Sequence, residues 1–84
     1  MVEKSIALDG NDSAAHFEKG TVLDRLERFA EATAAFERVV ALAPRDAAAH
    51  YRLARDYDRM GKHEAAQAER ETHAKLIQAQ EVKR

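Results

Sequence analysis

Two residues that could begin a zinc-binding helix stand side by side late in the chain. His63 and Glu64 match the start of the His-Glu-x-x-His pattern, in which two histidines one turn apart hold zinc and the glutamate acts as general base. The place of the second histidine is taken by Gln67. One imidazole cannot hold zinc in a catalytic site that needs three protein ligands. The pattern therefore predicts no zinc enzyme, and His63 is interpreted as a packing residue at a helix start.

Two other histidines, His16 and His50, are separated by 34 residues. Equivalent points on packed helices lie about 8–10 Å apart, whereas zinc–nitrogen bonds are about 2.0–2.1 Å long, so this spacing favours helix packing over metal binding. Ser5 and Ser13 stand near the N-terminus and at a helix cap, so no hydroxyl–histidine–carboxylate set is indicated. A glycine-rich phosphate loop is also absent. We therefore predict a protein that is not an enzyme and uses no metal or cofactor.

Charge and hydropathy argue against two classes of partner. The chain has 14 basic and 15 acidic residues and a formal net charge of −1, which gives no overall field to attract nucleic acid or an anionic membrane. Its longest uncharged apolar run, residues 39–44, is much shorter than the roughly 20 residues of a membrane helix. A basic start followed by an apolar stretch, as in a secretory signal, is missing. We expect a cytoplasmic protein that binds neither nucleic acid nor membrane.

Helix-forming residues dominate the 84-residue chain, and strand signals are poor. Alanine accounts for 18 of the hydrophobic residues and cysteine is absent, so a thin core must hold without disulfides. Asp12 or Ser13 is expected to cap the first helix, Pro44 to end the second, and Asp46 and Gly61 to bound the third. The expected helices cover about residues 13–28, 30–43, 46–60 and 63–80, and their short links make neighbours antiparallel.

An internal repeat appears when the sequence is shifted by 34 residues. The shift aligns His16 with His50, Gly20 with Ala54, Leu26 with Met60 and Ala32 with Ala66. Gly20 falls inside the first expected helix, where glycine costs about 1 kcal/mol relative to alanine. We therefore predict that another group approaches the helix closely at Gly20.

The two copies resemble the tetratricopeptide repeat family, whose pattern runs W-x-x-L-G-x-x-Y, then A-x-x-x-F, then P. The matching residues are His16-x-x-Lys19-Gly20-x-x-Leu23, Ala32-x-x-x-Phe36 and Pro44 in the first copy, and His50-x-x-Leu53-Ala54-x-x-Tyr57 and Ala66 in the second. The resemblance, over about residues 5–80, implies an all-α fold of antiparallel helix-turn-helix repeats stacked as a short right-handed α-solenoid. We expect repeats at residues 12–45 and 46–80, the tail of a preceding repeat or an extension at residues 1–11, and a frayed end at residues 81–84.

The last helix departs from the family pattern, because Arg70 and His73 stand where the family has core-facing residues. One interpretation is that this helix caps the array, with Arg70, His73 and Gln78 facing water. The other is that it packs in a different register, through residues at three- and four-residue spacing: Ala65, Ala68, Thr72, Leu76 and Ala79. Both interpretations stay open at the level of sequence.

The resemblance also implies a binding surface, because in this family the first helices of successive repeats line a concave peptide groove. Carried over by position, the lining residues are Ala14, Phe17, Glu18, Thr21, Asp24 and Arg25, then Ala48, Tyr51, Arg52, Arg55, Asp58 and Arg59. Helical spacing independently places Arg52, Arg55 and Arg59 on one face. We predict that these arginines bind carboxylates of an acidic peptide through forked hydrogen bonds, while Phe17 and Tyr51 give apolar contact. The alternative is a solvated face, partly neutralised by Asp56 or Glu18.

Two functions follow from these patterns. The first is a non-catalytic protein–protein interaction module that binds a peptide or protein segment in the groove. The second is a structural module that self-associates weakly, or a part of a longer repeat array, with no peptide ligand of its own. It is kept because about three repeats are usually needed to close a core of this kind.

Overall fold

The computed structural model of the chain describes residues 12–82. Within this range there are four helices: α1 (Ser13–Arg25), α2 (Phe29–Leu42), α3 (Ala47–Arg59) and α4 (His63–Val82). Each helix packs on the next along the chain, α1 on α2, α2 on α3 and α3 on α4. The predicted all-α fold of stacked helix pairs is confirmed. The tail predicted for residues 1–11 lies outside this range, and no described helix has the length and apolar character needed to span a membrane.

The first helix of each pair, α1 and α3, begins with an aspartate side chain as its N-cap. Oδ1 of Asp12 accepts hydrogen bonds from the backbone N–H groups of Ala14 at 3.0 Å and Ala15 at 3.4 Å. In the second pair, Oδ1 of Asp46 accepts from the N–H of Ala49 at 3.2 Å. Each aspartate thereby satisfies amides that the helix itself leaves unpaired. Of the two caps considered for α1, Asp12 rather than Ser13 has this role.

Each helix pair turns at a residue with a left-handed backbone, Glu27 in the first pair and Gly61 in the second, with φ of 61° and 81°. In both turns the next N–H donates to a carbonyl five residues back: Arg28 to Leu23 at 2.9 Å and Lys62 to Tyr57 at 2.7 Å. Because the chain enters this turn, α1 ends at Arg25 and not at about residue 28, as the sequence had suggested. Glycine adopts a left-handed backbone without strain, whereas the Cβ of Glu27 makes it costly.

The core lies between the first three helices and is built from few large side chains. Its members Ala32, Phe36, Val39, Ala49 and Leu53 are fully inaccessible to solvent. The ring of Phe36 lies against Gly20 so closely that a Cβ added to this glycine would be 2.7 Å from Cζ of the ring. Such a separation is far below a normal contact distance, and it confirms the close approach predicted at Gly20.

The last helix keeps the repeat register at its start, where Ala66 is fully buried. Arg70 and Gln78 lie at the surface, as the cap interpretation requires. Of the residues in the alternative register, Ala68 and Ala79 are exposed, whereas Ala65, Thr72 and Leu76 are half-buried. His73 is half-buried against the ring of Tyr51, with ring centroids 5.6 Å apart. The helix continues to Val82, two residues beyond the end predicted at about residue 80.

Candidate functional site

Six of the predicted groove residues converge on one cleft of about 240 Å³ between α1 and α3, here called the arginine cleft. Its lining comprises Thr21, Asp24, Arg25, Phe29, Arg52, Arg55, Asp56 and Arg59. Thr21 donates its hydroxyl proton to the carbonyl of Phe17 at 3.0 Å, which holds the side chain against its own helix. The cleft therefore combines four guanidinium groups with two carboxyl groups.

The other predicted residues lie next to the arginine cleft or away from it. Ala14, Phe17, Glu18 and Ala48 line a second, open depression of about 590 Å³ beside the two capping aspartates. Tyr51 is 48% exposed. Asp58, which the family pattern places in the groove, instead bonds to Nδ1 of His63 at 2.8 Å and Nη1 of Arg70 at 2.7 Å. These partners, His63 first, lower the pKa of Asp58 and hold its side chain at the C-terminal end of α3, against α4.

Three arginines of α3 lie over aromatic rings. The guanidinium carbon of Arg52 lies 5.6 Å from the ring centroid of Phe17. The corresponding distances are 6.0 Å from Arg55 to Tyr51 and 5.0 Å from Arg59 to Phe29. Rings at these distances attract a cation and restrict its side chain. Phe29, the first residue of α2, was not identified from the sequence, because a residue beside a turn gives no sign of the cation above it.

The arginines of the cleft are not neutralised in the way the alternative interpretation required. Between residues 12 and 82, neither Asp56 nor Glu18 forms an ion pair with Arg52. Asp56 is instead 2% exposed and faces Asp24 of α1 within hydrogen-bonding reach. One oxygen of each group, Oδ1 of Asp24 and Oδ2 of Asp56, is buried without a hydrogen-bond partner. Two carboxylates so placed repel each other, and holding one proton between them relieves the repulsion.

Burial is the largest cause that raises the pKa of Asp56 to about 7, followed by the hydrogen bond to Asp24 and the charge of Asp24. The charges of Arg55 and Arg59 act in the opposite direction and are outweighed. Because this pKa lies above the ordinary value of 3.8, the folded chain keeps a proton that the unfolded chain releases. The contribution of Asp56 to the free energy of unfolding therefore falls as the pH rises from about 4 to about 7.

His50 has the packing role that its spacing favoured. Its Nδ1 lies 2.6 Å from Oε1 of Glu69 on α4, and its Nε2 lies 2.9 Å from the carbonyl oxygen of Pro44. Both neighbours are acceptors, so both contacts are hydrogen bonds only when each ring nitrogen carries a proton. The ring thus joins α3 to α4 and to the preceding turn. Across residues 12–82, no group of three or more His, Cys, Asp or Glu residues is placed to hold a metal ion.

Comparison with known proteins agrees with this architecture. A family model described as tetratricopeptide repeat matches residues 25–80. The solved structure of a MamA mutant is 30% identical, with a TM-score of 0.79, and the match covers 84% of this chain and 52% of that one. Structures labelled MamA AMB-1 and MamA MSR-1 are 29% and 28% identical, both with a TM-score of 0.81.

The matches to those two structures cover 89% of this chain but only 41% and 43% of theirs. The chain therefore spans about half the length, or less, of the solved structures it resembles. No curated protein sequence matches it.

Proposed function

Because the chain belongs to the tetratricopeptide repeat family, we propose that it is a non-catalytic module that binds an acidic protein segment along the surface between α1 and α3. Repeats of this family generally serve protein–protein interaction. We assign its two repeats to residues 12–45 and 46–80, with the first helix of each, α1 and α3, forming the binding surface.

The proposal rests on three arginines of α3 whose guanidinium groups lie over aromatic rings. Arg52, Arg55 and Arg59 each contact an aromatic ring, and within the described chain none of them hydrogen-bonds a carboxylate. Their N–H donors are therefore available to an incoming ligand. A guanidinium group whose position is already restricted loses less side-chain entropy on binding, and its planar fork matches a carboxylate. Glutamate and aspartate side chains of a partner are the groups that fit this arrangement.

Reversing the charge of these three arginines to glutamate is expected to weaken binding of an acidic probe at least a hundredfold. The probe is a fluorescent peptide of alternating Glu and Ala, and its affinity is measured by polarisation at fixed ionic strength. The helices should remain intact, because Arg55 and Arg59 are exposed and Arg52 is only half-buried. Circular dichroism measures whether the helical content is retained.

A control variant with the same change in net charge distinguishes the loss of contacts in the cleft from the loss of long-range electrostatic attraction. Arg38, Arg45 and Lys75 are exposed and do not line the arginine cleft. Their replacement by glutamate should weaken the peptide no more than a few fold, since long-range attraction is screened by salt. Equal losses in the two triple variants, or full affinity in the cleft variant, would remove the groove assignment.

A second candidate function is association with another copy or with a neighbouring repeat. Val22 near the end of α1 and Leu26, the residue directly after this helix and one turn further on, are 53% and 59% exposed. Exposed apolar side chains at this spacing form a contact surface of the kind that stacked repeats bury. Sedimentation velocity at increasing concentration should then show dimers that Leu26→Glu disperses. A single monomeric species at every concentration would rule out self-association.

A further inference from the structure

The arginine cleft contains a carboxyl pair that the proposed function does not use. Asp56 is almost completely buried, lines the cleft, and has one oxygen without any hydrogen-bond donor. Asp24 reaches it from the opposite wall and also has a buried oxygen without a donor. A buried acceptor without a partner is costly, and a carboxylate more so. The pair is thus a place where the cleft can hold or release a proton without a change of fold.

The other charged groups that line the cleft come from two helices. They are Arg25, beside Asp24 on α1, and Arg52, Arg55 and Arg59 on α3, while α2 contributes only the uncharged Phe29. With one shared proton these lining residues carry a formal charge of +3, and with none they carry +2. The protonated cleft is therefore the better receptor for an anion.

We propose that the binding of an acidic segment in the arginine cleft is coupled to the uptake of one proton by Asp24 and Asp56, so that the cleft releases its partner as the pH rises. This inference rests on the proposed function and adds its regulation. A bound carboxylate disfavours the doubly ionised pair, and by linkage the doubly ionised pair disfavours the carboxylate by the same factor. One unit of like charge several ångströms away, at the effective dielectric constant of a protein surface, changes affinity about tenfold.

The test measures the affinity of the Glu-Ala peptide from pH 6 to pH 8.5 at constant ionic strength. Its glutamates and the arginines of the cleft keep their charges over this range. The wild-type protein should bind about tenfold more weakly at pH 8.5 than at pH 6. Asp56→Asn stands for the protonated form of Asp56, because its amide is neutral and can donate to Asp24. This variant should bind at pH 8.5 as tightly as the wild type binds at pH 6.

The matched control is Asp58→Asn, which makes the same chemical change two residues away on the side of α3 that faces α4. It should keep the tenfold dependence on pH. Every other titratable group is unchanged in Asp56→Asn, so a dependence of affinity on pH that survives in this variant overturns the coupling. Peptide that binds equally at both pH values overturns the coupling while the proposed function stands. Absence of binding at every pH overturns both.

A measurement without peptide tests the shared proton itself. The thermal midpoint of the wild type should fall between pH 5 and pH 8 more than that of Asp56→Asn, because only the wild type must give up this proton in the folded state. Asp58→Asn should follow the wild type. Parallel curves for wild type and Asp56→Asn would show that no proton is held between Asp24 and Asp56, and would end the inference whatever the peptide does.

Discussion

Truncating Phe36 to alanine is expected to lower the free energy of unfolding by about 3–5 kcal/mol. The ring is fully buried, lies against Gly20 and meets Phe17 edge-on, with ring centroids 5.2 Å apart. A chain of this length has a total stability of roughly 4–13 kcal/mol, so the loss is a large share of it. Urea denaturation followed by circular dichroism gives the value. Tyr51→Ala removes an aromatic ring that is 48% exposed and should cost less than about 1 kcal/mol.

The contact between Phe36 and Gly20 can be tested from the other side. Gly20→Ala gains about 1 kcal/mol of helix propensity but places a Cβ 2.7–2.9 Å from three ring carbons that have no free space around them. We expect a net loss in the wild type and a much smaller one in Phe36→Leu, where the ring is gone. Equal effects in the two backgrounds would show that the ring does not require glycine at this position.

Replacing His50 with alanine is expected to cost about 2–4 kcal/mol. The change removes both ring-nitrogen contacts and leaves the carboxylate of Glu69 and the carbonyl oxygen of Pro44 without these partners. The Glu69 side chain is only 22% exposed, so water replaces the donor poorly. Thermal unfolding monitored by circular dichroism measures the loss.

His63→Ala provides the comparison, because this histidine also bonds a carboxylate, that of Asp58 at 2.8 Å, but its side chain is 74% exposed. Surface pairs of this kind contribute little, so the cost should stay under about 1 kcal/mol. Similar losses in the two variants would mean that burial of the His50 contacts does not set their contribution.

Much of the fold could be predicted from residues that act locally. Asp12 and Asp46 are good caps, Gly61 suits a left-handed turn, and Gly20 is a poor helix residue that needs a reason. The 34-residue period then relates the two helix pairs without any knowledge of distant contacts. The end of α1 was placed too late because Glu27 does not mark a left-handed turn as glycine does.

The carboxyl pair could not be predicted in the same way. The repeat period aligns Asp24 with Asp58, whereas the residue that meets Asp24 is Asp56, which is 32 positions away. Facing residues on α1 and α3 are therefore not equivalent residues of the repeat. Asp56 also stands one turn after Arg52, a spacing that suggests an ion pair within the helix. The environment of Asp56 is instead determined by its contact with Asp24 across the cleft, which no local sequence pattern indicates.

The unequal turns predict different mobility in the two helix pairs. Glu27 and Gly61 occupy equivalent positions, but only Glu27 has a side chain in the left-handed region, at a cost of roughly 1–2 kcal/mol. Opening the first turn relieves this strain, so its local unfolding should be several-fold more populated than that of the second, and its amide hydrogens should exchange sooner. We therefore expect the turn on the α1 side of the cleft to open before the turn that joins α3 to α4.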